Sequence, residues 1–239
     1  MKLLLAEGTS ASEAAQQVLR GPAAAVEAPI PAPALLEQRI GALRAALLSY
    51  DETEAHRSID RLLMEFDAET VMRSVFLPAL REIGQLWAQG QLTVAQEHFA
   101  SHLIRRRLGG MARGWEDGSG LRALLACPPD EEHDIPLLMF GIALGNRGWR
   151  ITFLGARTPT DDLVRAVDSV RPAVVVVASP DPLGLAAMSA CLRKISKFAR
   201  VAIAGAGASQ PLADACGGML LSGDPVSAAN EIAAAYPEG

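Results

Sequence analysis

Cysteine is scarce in this 239-residue chain: there are three, Cys127, Cys191 and Cys216, in no paired spacing. That excludes a disulfide scaffold and points to a reducing compartment. Long apolar runs are missing as well. None approaches the ~18 residues a transmembrane helix needs, and Met1 to Ala6 is too short for the apolar core of a signal peptide. Positive charge does not predominate. The net charge of −5 argues against nucleic-acid binding through bulk electrostatics. What the chain has is aliphatic residues: it is 50% hydrophobic and 21% charged, so a sizeable core is available and wholesale disorder is excluded. A soluble, cytoplasmic protein with no membrane partner is expected.

The composition changes three times along the chain. Residues 1–20 hold one short helical pattern closed by Gly21, and 21–34 (GPAAAVEAPIPAPA) read as an extended Pro/Ala linker. From 35 to 109 the period is helical. Leu36, Ile40, Leu43 and Leu47 share one face, Asp51 can N-cap a second helix, and Met72 to Leu86 line a third that Pro78 should kink. Thr93 and Gln96 form a capping box for a fourth helix, running to about Leu108. Four amphipathic helices with short connections predict an antiparallel bundle.

A Gly-rich stretch, 110–120, then separates this bundle from a region of different period, 121–239. Short apolar strands (Leu121–Cys127, Arg150–Leu154, Ala173–Ala178, Arg200–Ala204, Met219–Leu221) alternate there with helical stretches. The unbroken VVVV at 174–177 suggests a strand covered on both faces of a parallel sheet. Thr158 as N-cap, Pro159 at the first helical position and Asp161 and Asp162 behind them mark a helix start. The fold class is therefore α plus α/β: a four-helix bundle followed by a flavodoxin-like, Rossmann-type domain. Its ligands are expected above the carboxyl ends of the strands.

The loop after the first strand, Cys127-Pro-Pro-Asp-Glu131-Glu132-His133-Asp134-Ile135-Pro136, puts a histidine among carboxylates at that edge. A neutral imidazole is a good transition-metal ligand, and a carboxylate can fix its tautomer through the other ring nitrogen. Glu131-x-His133 resembles the cobalamin-binding signature Asp/Glu-x-His-x-x-Gly, with Pro136 where the family has glycine. Phe153 to Pro159 looks like the second strand-to-helix loop of cobalamin domains. Ser179 and Gly205-Ala206-Gly207 sit where that family has its Ser-x-Leu and Gly-Gly motifs. Small residues there would open a slot for the nucleotide tail.

In the helical region Trp87 is followed, after nine residues, by Glu97-His98. With Pro78, Ile83-Gly84 and Gly90, this pattern resembles the CarH-type light-dependent regulators of the MerR class, over roughly residues 35–235. The resemblance implies adenosylcobalamin as cofactor and His133 as the lower axial ligand of its cobalt. It implies Trp87, Glu97 and His98 over the upper face. Glu131, Gly155, Thr158, Ser179, Gly205 and Gly207 complete the candidate cofactor-binding set. An indole offers a flat face to a ring, and a carboxylate accepts hydroxyl hydrogens.

His98 and His102, at i and i+4, are too few donors for a structural zinc site. Arg105, Arg106 and Arg107 read as a solvated helix end favoured by the dipole.

Two departures from the family bear on mechanism. Ala88 stands where the light sensors carry a second histidine, so that residue cannot capture cobalt after loss of the adenosyl group. Residues 1–20 look only like a remnant of a helix-turn-helix domain, so no direct DNA binding is expected from this chain. The implied function is a non-enzymatic photoreceptor whose light-driven change alters a homo-oligomer or the grip on a partner protein. Some relatives of this kind pair cobalamin with a bilin. With no cysteine between 35 and 109, such a second chromophore would be held there non-covalently. A corrinoid methyl carrier of a methyltransferase system is the alternative, since carriers share the lower-face motif.

Overall fold

A computed structural model describes residues 32–117 and 119–236. The predicted helix in 1–20 and most of the 21–34 linker lie outside the described residues. The chain divides into two compact units, 1–41 and 42–239. The described part of the first is the opening of helix α1 (Ala32–Leu48), so residues 32–34 are helical where a linker was expected. Pro33 is no obstacle, because a first-turn N–H would have no intrahelical partner.

In the second unit, α1 continues with Leu43, Ala46 and Leu47 buried. Helix α2 (Glu52–Glu65) starts where Asp51 accepts the Glu54 N–H at 2.9 Å, and it buries Ala55, Ile59 and Leu62. The third helix begins earlier than the apolar pattern suggested. Asp67 caps α3 (Ala68–Val71), a π-helical turn spans Met72–Phe76, and α4 (Leu77–Ala88) follows without a break. Pro78 explains the π turn. A proline ring clashes with the carbonyl four residues back, and widening the turn relieves the clash. The Leu77 N–H accordingly donates to the carbonyl of Met72, five residues away. The capping box between Thr93 and Gln96 opens α5 (Val94–Met111).

The α/β region is a five-stranded, all-parallel sheet in the order β2-β1-β3-β4-β5, the flavodoxin-like arrangement. Its strands are β1 (Arg122–Ala126), β2 (Arg150–Gly155), β3 (Val174–Ala178), β4 (Arg200–Ala204) and β5 (Met219–Leu220). Between and after them run α6 (Ile135–Gly145), α7 (Thr160–Val170), α8 (Pro182–Ala187), α9 (Ser189–Ile195), α10 (Gln210–Cys216) and α11 (Pro225–Ala234).

Leu124, Ala126, Val175, Val177, Val201 and Ile203 form one buried face, with Leu163 of α7 and Leu192 of α9. Helices α6 and α11 pack together on the opposite face. With both faces covered, β3 can run as four consecutive valines, 174–177. Residues 112–117 pack against the α/β region as well. A Cβ on Gly141 of α6 would come within 3.1 Å of the Trp115 indole, so the glycine forms the notch that receives this ring.

Ion pairs join the helical segment to the α6/α11 layer. Arg147 spans Glu69 at 2.7 Å and Asn230 at 2.7 Å, and Arg73 reaches Asp224 at 3.1 Å. Asp224 also caps α11, accepting the N–H groups of Val226 and Ser227. Burial pushes its carboxyl up, but the Ser227 hydroxyl and N–H, Arg73 and the Val226 N–H outweigh that and leave it below its ordinary 3.8. A depressed folded-state value means stability that is present above about pH 4 and lost as pH falls through the folded value. Asp224→Ala should therefore cost about 1 kcal/mol at neutral pH. Thermal unfolding across an acid series should show a shallower loss of stability in the variant below pH 4.

Candidate functional site

β1 delivers its following loop to the carboxyl edge of the sheet, where Glu131 is buried (7% exposed) and the His133 side chain is 77% exposed. Glu131 Oε1 accepts the His133 backbone N–H at 2.8 Å and lies 2.6 Å from the ring Nδ1. Its other oxygen accepts the Ser179 hydroxyl at 2.5 Å, and Ser179 Oγ accepts the Asp181 N–H at 2.9 Å. Burial raises the Glu131 carboxyl, yet the bonds from Ser179 and from the backbone and ring of His133 hold it below the usual carboxylate range. An ionised Glu131 is an acceptor only, so Nδ1 carries a proton, and in the neutral imidazole Nε2 is then the atom with the lone pair. The result is an oriented imidazole with one free donor atom.

Around this relay the loops are stitched together. The Gly155 carbonyl accepts the Cys127 N–H at 2.8 Å, and the Glu131 carbonyl accepts the Arg157 N–H at 2.9 Å. Arg157 holds φ +53, a conformation that costs a non-glycine residue free energy and marks a constrained loop. Thr158 is buried, but it does not cap α7 as the sequence suggested. The helix starts at Thr160 with Pro159 before it, and the Thr158 hydroxyl donates to the Gly155 carbonyl at 3.1 Å.

Gly205 and Gly207 also have a role in loop packing. Gly205 sits at φ +95, and a Cβ there would lie 2.5 Å from the Ser179 carbonyl oxygen. The Gly207 N–H donates to that same carbonyl at 3.1 Å. The glycines let the loop after β4 close on the loop after β3, which fixes Ser179 beneath Glu131. Pro136, where the resembled signature has glycine, falls in the first turn of α6, where its missing N–H costs nothing.

Asp134, at the N-cap position of α6, does not cap the helix. Its buried carboxylate accepts Arg105 Nε at 3.0 Å and Nη2 at 2.6 Å, a bidentate pair between α5 and the residue beside His133. Arg105 is thus no freely solvated helix-end cation. Its neighbours pair as well, Arg106 with Glu52 at 2.8 Å and Arg107 with Asp60.

On α5, His98, His102 and Arg105 follow the i, i+4, i+7 spacing of one face. Glu97 Oε2 is 2.6 Å from His98 Nδ1, and the His98 ring stacks on His102 at 5.7 Å. The two histidines lie roughly 5–10 Å along the axis from the Arg105 anchor. Trp87 ends the adjoining helix α4 with 48% of its surface exposed, so it is no core anchor; Ile83 is buried instead. The structure joins Glu131, His133, Gly155, Thr158, Ser179, Gly205 and Gly207 into one cluster. Glu97 and His98 form a second, carried on the helical segment.

Among the described residues no group of three or more His, Cys, Asp or Glu could hold a metal ion. A bare ion needs several protein donors. A single tautomer-fixed imidazole suits a metal whose other ligands come with a macrocycle, as in haem proteins. A corrinoid fits that donor set.

Cys127, at the end of β1, is buried; desolvation first, then Asp134 and Glu131, push its thiol up to about 12. At pH 8 only about one part in ten thousand would be thiolate. Iodoacetamide should therefore label Cys127 in unfolded protein and leave it untouched in the folded state, as peptide mass mapping would show.

Residues 40–109 match the B12 binding domain family. Over 178 residues the chain is 35% identical to the HTH-type transcriptional repressor CarH of Myxococcus xanthus, covering 72% of this chain and 60% of that protein. It is 38% identical over 178 residues to the HTH-type transcriptional repressor CarA of the same organism, covering 74% of this chain and 58% of that one. The chain is a relative of the CarH-type regulators. It spans about three fifths of the length of these curated CarH-type relatives. The monomethylamine corrinoid protein of Methanosarcina barkeri shares the fold, with a TM-score of 0.69 at 13% identity over 83% of this chain and 99% of that one. Among the described residues no helix is long and apolar enough to cross a membrane.

Proposed function

We propose that this CarH-related chain binds adenosylcobalamin and serves as a light-responsive regulatory protein in the cytoplasm, without enzymatic activity of its own. The observation that carries the reading is the Ser179–Glu131–His133 relay, which leaves one imidazole nitrogen free at the carboxyl edge of a flavodoxin-like sheet. In this reading His133 would hold the cobalt through its free ring nitrogen. Trp87, Glu97 and His98 cover the adenosyl side. The loops at Gly155 and Thr158, Ser179, Gly205 and Gly207 receive the nucleotide tail.

The cofactor supplies the light-sensitive cobalt–carbon bond. The chain supplies the Arg105–Asp134 pair, which ties α5 to the residue beside His133. A change on the upper face would be felt by α5 and passed on through that pair, altering self-assembly or the grip on a partner protein. The relatives' description as transcriptional repressors makes transcription the output to test.

The test is an absorption spectrum of protein loaded with adenosylcobalamin in the dark, before and after green light, with size-exclusion chromatography of both samples. Spectral conversion with a change in elution volume is expected. Binding without a stable photoproduct would favour a methyl carrier. Absorption of the purified protein beyond the corrin bands would add a bilin as second chromophore.

A further inference from the structure

At the edge of the sheet opposite His133, three strands open on arginine: Arg122 for β1, Arg150 for β2 and Arg200 for β4. Arg122 and Arg150 are direct neighbours in register across the parallel pair. Like charges so placed destabilise a sheet unless something neutralises them. Glu116 does so for Arg122, lying 2.9 Å from its Nη2. Arg200 is turned away, its guanidinium 4.7 Å over the Tyr236 ring.

Arg150 is half-buried and spends only its Nε, on the Gly120 carbonyl at 3.0 Å. Arg171 ends α7 at φ +48. Among the described residues neither Arg150 nor Arg171 has an acidic partner, Asp168 one turn earlier included. Arg122, Arg150 and Arg171 line one open cleft of about 380 Å³, together with Ser119, Gly120 and Ala173. Its lining carries three cations and no acid, with Glu116 held on Arg122 at its side.

We infer that this cleft is an anion site for a small phosphate-bearing ligand, of phosphate to pyrophosphate size, held by Arg150 and Arg171. Guanidinium N–H groups pair with phosphate oxygens in a bidentate fork, and such charge-assisted bonds are the strong ones. No aromatic side chain lines the cleft to stack a base, so recognition rests on the oxyanion. The sheet's strands separate this cleft from the His133 loop, and the site is independent of cobalamin.

The probe is inorganic pyrophosphate, titrated by calorimetry into the full chain, with sodium chloride at matched ionic strength as the control. Saturable binding is expected, weakened roughly tenfold or more in Arg150→Gln and in Arg171→Asn. Asparagine tolerates the left-handed conformation at 171, so that variant tests the charge without backbone strain. In the unmodified protein, pyrophosphate should also slow phenylglyoxal labelling of Arg150 and Arg171 relative to Arg113. No saturable heat overturns the inference. Binding that both variants retain, or protection that chloride reproduces, overturns it equally.

Discussion

His133→Ala weakens cobalamin binding by roughly ten- to a hundredfold or more, the scale on which metal sites respond to loss of a ligand or its support. It also shifts the visible spectrum of the bound cofactor. The same substitution leaves the unliganded protein's melting temperature nearly unchanged, because the side chain is 77% exposed and, among the described residues, bonds only to Glu131. Surface changes of that kind stay within about half a kcal/mol. Glu131→Ala behaves differently. It removes a buried acceptor from the Ser179 hydroxyl and from the His133 N–H, so stability and binding fall together. Equilibrium titration of both variants, followed by absorbance, separates the two roles. An unchanged spectrum in His133→Ala would remove the residue from the cobalt.

Arg105→Ala is the substitution with the largest expected cost in stability. It strands the Asp134 carboxylate, whose side chain is 4% exposed, without its bidentate partner. Breaking a fully buried pair costs about 3–5 kcal/mol. The Arg105 side chain is 49% exposed, so water can reach part of the site and about 2 kcal/mol is expected. For a chain of this size that is a drop of roughly 4–8 °C in melting temperature. Arg105→Ala combined with Asp134→Leu should recover part of the loss, since no charge then stays buried. A double variant no better than the single one would show that the loss does not come from the stranded Asp134 carboxylate.

The contrast between these residues shows what a sequence can disclose. The sheet was legible from its valine run and the four-helix pattern from apolar spacing, because both are local periodicities. Pro78 disclosed that the third helix must deform. The form it took, a π turn from Met72 to Phe76, depends on which carbonyl the ring meets and was not legible. The start of α7 slipped by a residue because a Thr-Pro-Thr run offers two places to begin.

Glu131 and His133 are two residues apart, and so their contact could be anticipated. Ser179 stands 48 residues from Glu131, and Arg105 stands 29 from Asp134. Long-range polar pairs leave no period, and the triple arginine looked like an ordinary helix end. The one available signal was the i, i+4, i+7 stripe of His98, His102 and Arg105. Trp115 was hidden for another reason: its receptor is a notch made by glycine on α6, which composition alone reads as flexibility.

The most direct test of the central claim is electron paramagnetic resonance of cob(II)alamin bound to protein uniformly labelled with nitrogen-15. An axial nitrogen splits the cobalt lines, as a triplet for nitrogen-14 and a doublet for nitrogen-15. The Glu131–His133 geometry predicts doublets, which collapse to an unsplit signal or revert to triplets in His133→Ala. Triplets from the labelled wild-type protein would show the cofactor keeping its own base beneath the metal, and would contradict the assignment of His133.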